Sequence, residues 1–200
     1  MISTILAIDE RDHILGDFYT ECLLDLENFE NNRCLIKAIK SNSLNELAIS
    51  VSIPLEGGFI FLAYSHGSDT ELLAGGVTPY ISESINTSLF KNSFFYTCSC
   101  STAKRLGHIL IENECISYIG YKEKFEIWDY NRVPFVDCAN YGYKLFVQGD
   151  DVKTIIEKMK EKYDEHIDNY TNDIFGSAHL LANKRALIAL GDLTHNINSL

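Results

Sequence analysis

The 200-residue chain carries 17 Lys and Arg against 28 Asp and Glu, a formal net charge of −11. That balance argues against a nucleic-acid backbone as the main partner, since such binding needs a Lys/Arg surface. A content of 46% hydrophobic and 22% charged residues, with three prolines and no linker-like run, predicts one domain over residues 1–200 with a sizeable core.

No apolar run approaches the ~20 residues of a membrane span, so no membrane partner is expected. The start, MISTILAIDERD, lacks the basic leader and small-residue cleavage site of a secretory signal. A cytoplasmic location is therefore expected, with the six cysteines at 22, 34, 98, 100, 115 and 138 as reduced thiols.

In chain order, the β-branched run at 2–8 predicts a buried strand closed by Asp9 and Glu10. Ile14, Phe18, Cys22 and Leu26 recur at four-residue steps, which predicts a helix broken at Asn31-Asn32. Residues 33–39 form a second strand. Ser43, with Glu46 at the capping-box position, predicts a helix over 44–52. The run FIFLAY at 59–64 is continuously apolar, as for a strand covered on both faces, and it ends in Ser65-His66-Gly67. Residues 68–91 read as a loop with a helical turn near 85–90.

Residues 93–97 are the next strand, closed by Cys98-Ser99-Cys100. A helix is expected from Ser101, with Ala103, Leu106, Leu110 and Ile111 on one face. Residues 115–120 are another buried strand, and 121–134 a connection holding the only tryptophan, Trp128. Helices follow over 135–147, from an Asp150 or Asp151 cap to Tyr170, and over 178–190 with Gly191 as its stop. Residues 194–200 are expected to be loose. Strands alternating with helices imply an α/β fold with a mostly parallel sheet, in which function collects at the carboxyl ends of strands.

A histidine and a pair of cysteines thus fall at the ends of two separate apolar strands. A thiol at a helix N-terminus has a lowered pKa, and the N–H groups there face a developing oxyanion. A histidine on a neighbouring strand end supplies the proton transfers of acyl chemistry. FIFLAYSHG and YTCSCSTAKRLGHILIENECISYIGY together resemble the two core segments of caspase-like cysteine peptidases, especially the CHAT-type members of the caspase/gingipain/separase clan. The resemblance covers 59–121; elsewhere only the order of elements fits.

The resemblance implies a caspase-like three-layer sandwich and endopeptidase cleavage by a Cys-His dyad without a cofactor. By position, His66 is the general base and acid and Cys100 the nucleophile. Gly67 and the Cys100 N–H would form the oxyanion hole. Strand alternation puts Cys98 on the same face, so Cys98 stays open as the alternative nucleophile. In the family the first strand end and the loop after the cysteine unit build the specificity pocket. Those places hold Asp9, Asp129 and Trp128, which implies a preference for a basic residue before the cut. The partners the resemblance implies are a protein or peptide substrate and an activating or effector protein, for a bacterial source in antiviral defence. The rival readings are a catalytically inactive caspase-like interaction module, a thiol enzyme acting on a small molecule, and zinc held by Cys98, Cys100, His108 and Cys115. His13, His166, His179 and His195 are expected to face solvent.

Overall fold

The computed structural model describes residues 1–170 and 173–200. Six strands form one sheet in the order β2-β1-β3-β7-β8-β9: β1 (Ile2–Ile8), β2 (Cys34–Lys40), β3 (Phe59–Tyr64), β7 (Ser93–Thr97), β8 (Ser117–Tyr121) and β9 (Leu187–Gly191). The first five are parallel, and β9 runs antiparallel to β8. The chain is therefore α/β, with a mainly parallel sheet flanked by helices. β3 lies at the centre with every residue buried, which explains why it is apolar without alternation.

Two cores follow from the pleat. Ile60, Leu62, Tyr64, Phe94 and Tyr96 point to one face, where they meet α1 (Gly16–Glu27), α4 (Val133–Gln148), α5 (Val152–Asn169) and α6 (Ile174–Ala186). Phe59, Phe61, Ala63 and Phe95 point to the other, toward α2 (Glu46–Ser52) and α3 (Leu106–Glu112). Tyrosines fasten the larger face. The Tyr64 hydroxyl donates to Asn140 Oδ1 at 2.7 Å and the Tyr96 hydroxyl to the Ala139 carbonyl at 2.7 Å, so α4 is held to the sheet centre by satisfied buried groups.

Several elements depart from the sequence expectation. Residues 68–91 are not only loop. His66–Gly67 forms β4, Glu71–Ala74 β5 and Thr78–Ser82 β6, an antiparallel three-stranded sheet over the end of β3. The helix over 44–52 is capped by Asn45, whose Oδ1 accepts from the Ala48 N–H, rather than by Ser43. The helix expected to run to Leu190 ends at Ala186, and Leu187–Gly191 leaves it as the sixth strand. The Asp151 cap is observed, its Oδ1 accepting from the Thr154 N–H at 2.7 Å.

The last residues are packed rather than loose. His195 and Ile197 are buried. The His195 ring lies 2.5 Å from the Ser117 hydroxyl, and its carbonyl accepts from the Val152 N–H at the start of α5. His195 is thus a core residue, contrary to the solvent-facing expectation. No helix among the described residues is long and apolar enough to cross a membrane.

Candidate active site

The sheet brings the two expected strand ends together. β3 and β7 pair directly, with Ala63 opposite Thr97 as the last registered pair. His66 and Cys100 each lie three residues beyond that line. The Thr97 hydroxyl donates to the Ala63 carbonyl at 2.9 Å and accepts from the Ser99 N–H at 3.0 Å, tying the two ends to each other. Gly67 then passes close to the cysteine turn. A Cβ built on it would sit 2.7 Å from the Cys100 carbonyl oxygen and 2.9 Å from Ser99 Cβ. Glycine is required by this close approach of two backbones. Gly67→Ala is expected to cost about 1–3 kcal/mol and to displace the cysteine turn, read as a lowered urea midpoint. An unchanged midpoint would mean the two strand ends are not in contact.

His66 is held from the end of β1. Its Nε2 lies 3.1 Å from Asp12 Oδ2, and its side chain is 24% exposed. Asp12 is fully buried, with Oδ1 accepting from the N–H groups of Ile14 and Leu15. Burial opposes its charge, but those two N–H groups and the facing histidine outweigh it and hold the carboxyl below the usual range. The other flank of the ring meets Gly76, where a Cβ would come within 3.4 Å.

Asp9, expected to line a specificity pocket, is buried instead. It accepts from the Gly75 N–H at 2.6 Å and from the Ser41 hydroxyl at 2.7 Å. Its carboxylate holds the Gly75-Gly76 turn, whose φ values of +57 and +69 favour glycine, beside His66.

The two cysteines differ sharply. Cys98 is 3% exposed, its thiol in the core with Tyr96, and burial pushes its pKa far above the ordinary thiol value. Cys100 is partly exposed, and its sulfur accepts from the Phe125 N–H at 3.3 Å. Burial raises its pKa too, against the pull of that N–H and of Lys124. The helix expected at Ser101 does not begin there. Ser101 takes a left-handed φ of +60, its N–H donates to the Glu123 carbonyl, and α3 starts only at Leu106. A helix N-terminus therefore does not lower the Cys100 pKa.

Among the described residues neither sulfur is within hydrogen-bonding distance of His66. The Ser99 and Ser101 N–H groups have oxygen acceptors, whereas the Cys100 N–H finds no oxygen acceptor among the described residues and lies near its own sulfur.

The remaining expected site residues, Asp129 and Trp128, lie on the loop whose Phe125 N–H meets the Cys100 sulfur. Asp129 is 81% exposed and pairs with Arg132 at 3.3 Å. Trp128 donates from Nε1 to Asp173 Oδ2 at 2.6 Å and stacks on Phe175 and His179. It is half-buried and fastened to the start of α6. His166 pairs with Asp137 at 2.8 Å, and only His13 of the four peripheral histidines is largely exposed. The four zinc-candidate residues are not brought together: Cys115 bonds to Ser93 and Ser117 on the opposite sheet face from Cys98, and no cluster of three metal-ligating side chains occurs among the described residues.

Sequence reasoning missed Asp12 and the Phe125 N–H. Asp12 stands in a run with Asp9 and Glu10, and nothing in that run separates the carboxylate that meets the histidine from its neighbours. Comparison of the chain with protein-family models and with curated proteins finds no match.

Proposed function

We propose that the chain is a cysteine endopeptidase of the caspase-like type, with Cys100 as nucleophile and His66 as proton carrier. The observation that carries this reading is the register of β3 and β7, which sets both residues the same three positions past one line of the sheet. The fold reading that accompanies it is a caspase-like three-layer sandwich, supported by helices on both faces of the sheet.

In this mechanism the thiol is protonated at rest, because burial outweighs its N–H partner. Substrate entry brings the carbonyl carbon against the sulfur, with the carbonyl oxygen toward the Cys100 N–H. His66 takes the thiol proton as the S–C bond forms. It returns that proton to the leaving amine as the C–N bond breaks, leaving a thioester. Water, activated by the same imidazole, then releases the acid and restores the thiol. A His–S hydrogen bond that forms only with substrate present is ordinary for such sites.

With Asp9 buried, only Asp129 is left of the carboxylates assigned to a basic-residue pocket, and it is already paired with Arg132. The test is hydrolysis of a mixed peptide library by the purified chain. We expect cleavage that His66→Ala reduces at least about a hundredfold. Cleavage at full rate by that variant would remove histidine from the mechanism.

The resting chemistry favours a second reading, a non-catalytic interaction module. Both thiols are held in the neutral form, and neither touches the imidazole. Specific peptide binding without any cleavage would select it.

A further inference from the structure

The end of β1 carries two buried carboxylates, and each controls one side of the imidazole. Asp9 holds the Gly75-Gly76 turn against the ring, while Asp12 reaches the ring itself. We propose that Asp12 is a positioning residue for His66, fixing the proton on Nε2 so that Nδ1 is the nitrogen that exchanges a proton with the nucleophile; the catalytic half of this rests on the peptidase reading above.

Donors and acceptors fix the tautomer. Both oxygens of Asp12 are committed: Oδ1 accepts from Ile14 at 2.9 Å and Leu15 at 2.7 Å, and Oδ2 faces Nε2 at 3.1 Å. An ionised carboxylate only accepts, so Nε2 must donate. A neutral imidazole with its proton on Nε2 presents Nδ1 as its basic nitrogen. His13, whose Nδ1 lies 4.0 Å from the same Oδ2, is 81% exposed and does not displace His66 from it.

A purely structural role would need only Oδ1, which by itself satisfies the two N–H groups at the entry to α1. The second oxygen, buried and 3.1 Å from His66 against 4.0 Å from the exposed His13, is what a structural role leaves unexplained. Nothing in the acidic run IDERD distinguishes this residue. It emerges only when the loop after β1 folds over the end of β3.

Asp12→Asn separates the two roles. Its carbonyl oxygen keeps the bonds to Ile14 and Leu15, which turns the amide NH2 toward Nε2. That nitrogen must then accept, and the ring proton moves to Nδ1. The readout is the pair of ring ¹⁵N shifts of His66 in histidine-labelled protein, assigned with His66→Gln, beside steady-state kinetics on a cleaved peptide.

We expect the Nε2–H form in the parent protein and the Nδ1–H form in Asp12→Asn. We expect kcat to fall about a hundredfold in the variant, with KM within about threefold. An Nδ1–H form in the parent protein would overturn the proposal without any variant. So would a tautomer that does not change in Asp12→Asn, or one that changes with no loss of kcat. Hydrolysis that depends on neither Cys100 nor His66 would instead sink the peptidase reading, and the catalytic role of Asp12 with it, while the ring shifts still report the tautomer.

Discussion

Cys100→Ala should lower kcat/KM for peptide hydrolysis by at least about a thousandfold, while Cys98→Ala should leave it within about threefold. Both residues follow β7 and point to the same face, so their types and spacing do not separate them. Their surroundings do. Cys98 is 3% exposed among core residues, where ionising a thiol is strongly opposed. A substrate carbonyl cannot reach it without opening the core.

Cys100 lies at the surface end of the turn. Its sulfur is steadied by the Phe125 N–H, and its own N–H has no oxygen acceptor among the described residues. Cys98→Ala is expected to cost about 1 kcal/mol of stability, because a buried sulfur is removed from a packed site. Comparing the two variants by stability and by rate therefore separates nucleophile from packing residue. Loss of activity in Cys98→Ala alone would move the nucleophile to Cys98.

The second large effect is on stability in mild acid. His195 sits 2.5 Å from the Ser117 hydroxyl, between the ring edges of Phe94 and Phe146, and its Nε2 has no partner among the described residues. Burial lowers its pKa from 6.5 to about 4, against the pull of Asp192. The folded chain thus prefers the neutral ring, and the unfolded chain takes up a proton first as pH falls. This contribution is fully present above pH 6.5 and is lost between pH 6.5 and 4, about 3 kcal/mol in all.

The depressed carboxylates Asp12 and Asp137 lose their share only as pH falls through and below 3.8, so the two windows are separable. Urea unfolding at pH 7, 5.5 and 4.5 should show a steady fall in stability. In His195→Gln that slope should be nearly flat over the same range. Equal stability of the parent protein at pH 7 and 4.5 would contradict the buried placement of the ring.

The central architecture was legible because its cause is local. β3 is apolar at every position, being covered on both faces, and β7 and β8, equally covered, are apolar but for Ser93, Thr97 and Ser117 at their ends. The alternation of such runs with helical periods was enough to place His66 and Cys100 at strand ends. What the sequence concealed depends on contacts between distant segments. Residues 187–191, LIALG, are apolar without alternation, and read equally well as the last turns of α6. Only their pairing with β8 makes them a strand.

The strands β5 and β6 are short and flank Gly75-Gly76, with Pro79 inside β6, so turn signals outweigh strand signals there. α3 starts late because the Ser101 N–H is claimed by the Glu123 carbonyl, twenty-two positions away and invisible to a helical period. His195 looked terminal and polar, yet its burial follows from docking against β8 and α5. At the site, the pair at the strand ends was readable, whereas the buried carboxylate behind the histidine was not.

Covalent trapping tests the central claim most directly. A panel of peptidyl acyloxymethyl ketones with Lys, Arg, Asp or Leu beside the warhead is incubated with the chain, and the adduct is mapped by peptide mass spectrometry. A single adduct on Cys100 is expected, formed at least about tenfold more slowly in His66→Ala. An adduct on Cys98, or labelling of Cys100 at the same rate without His66, would contradict it.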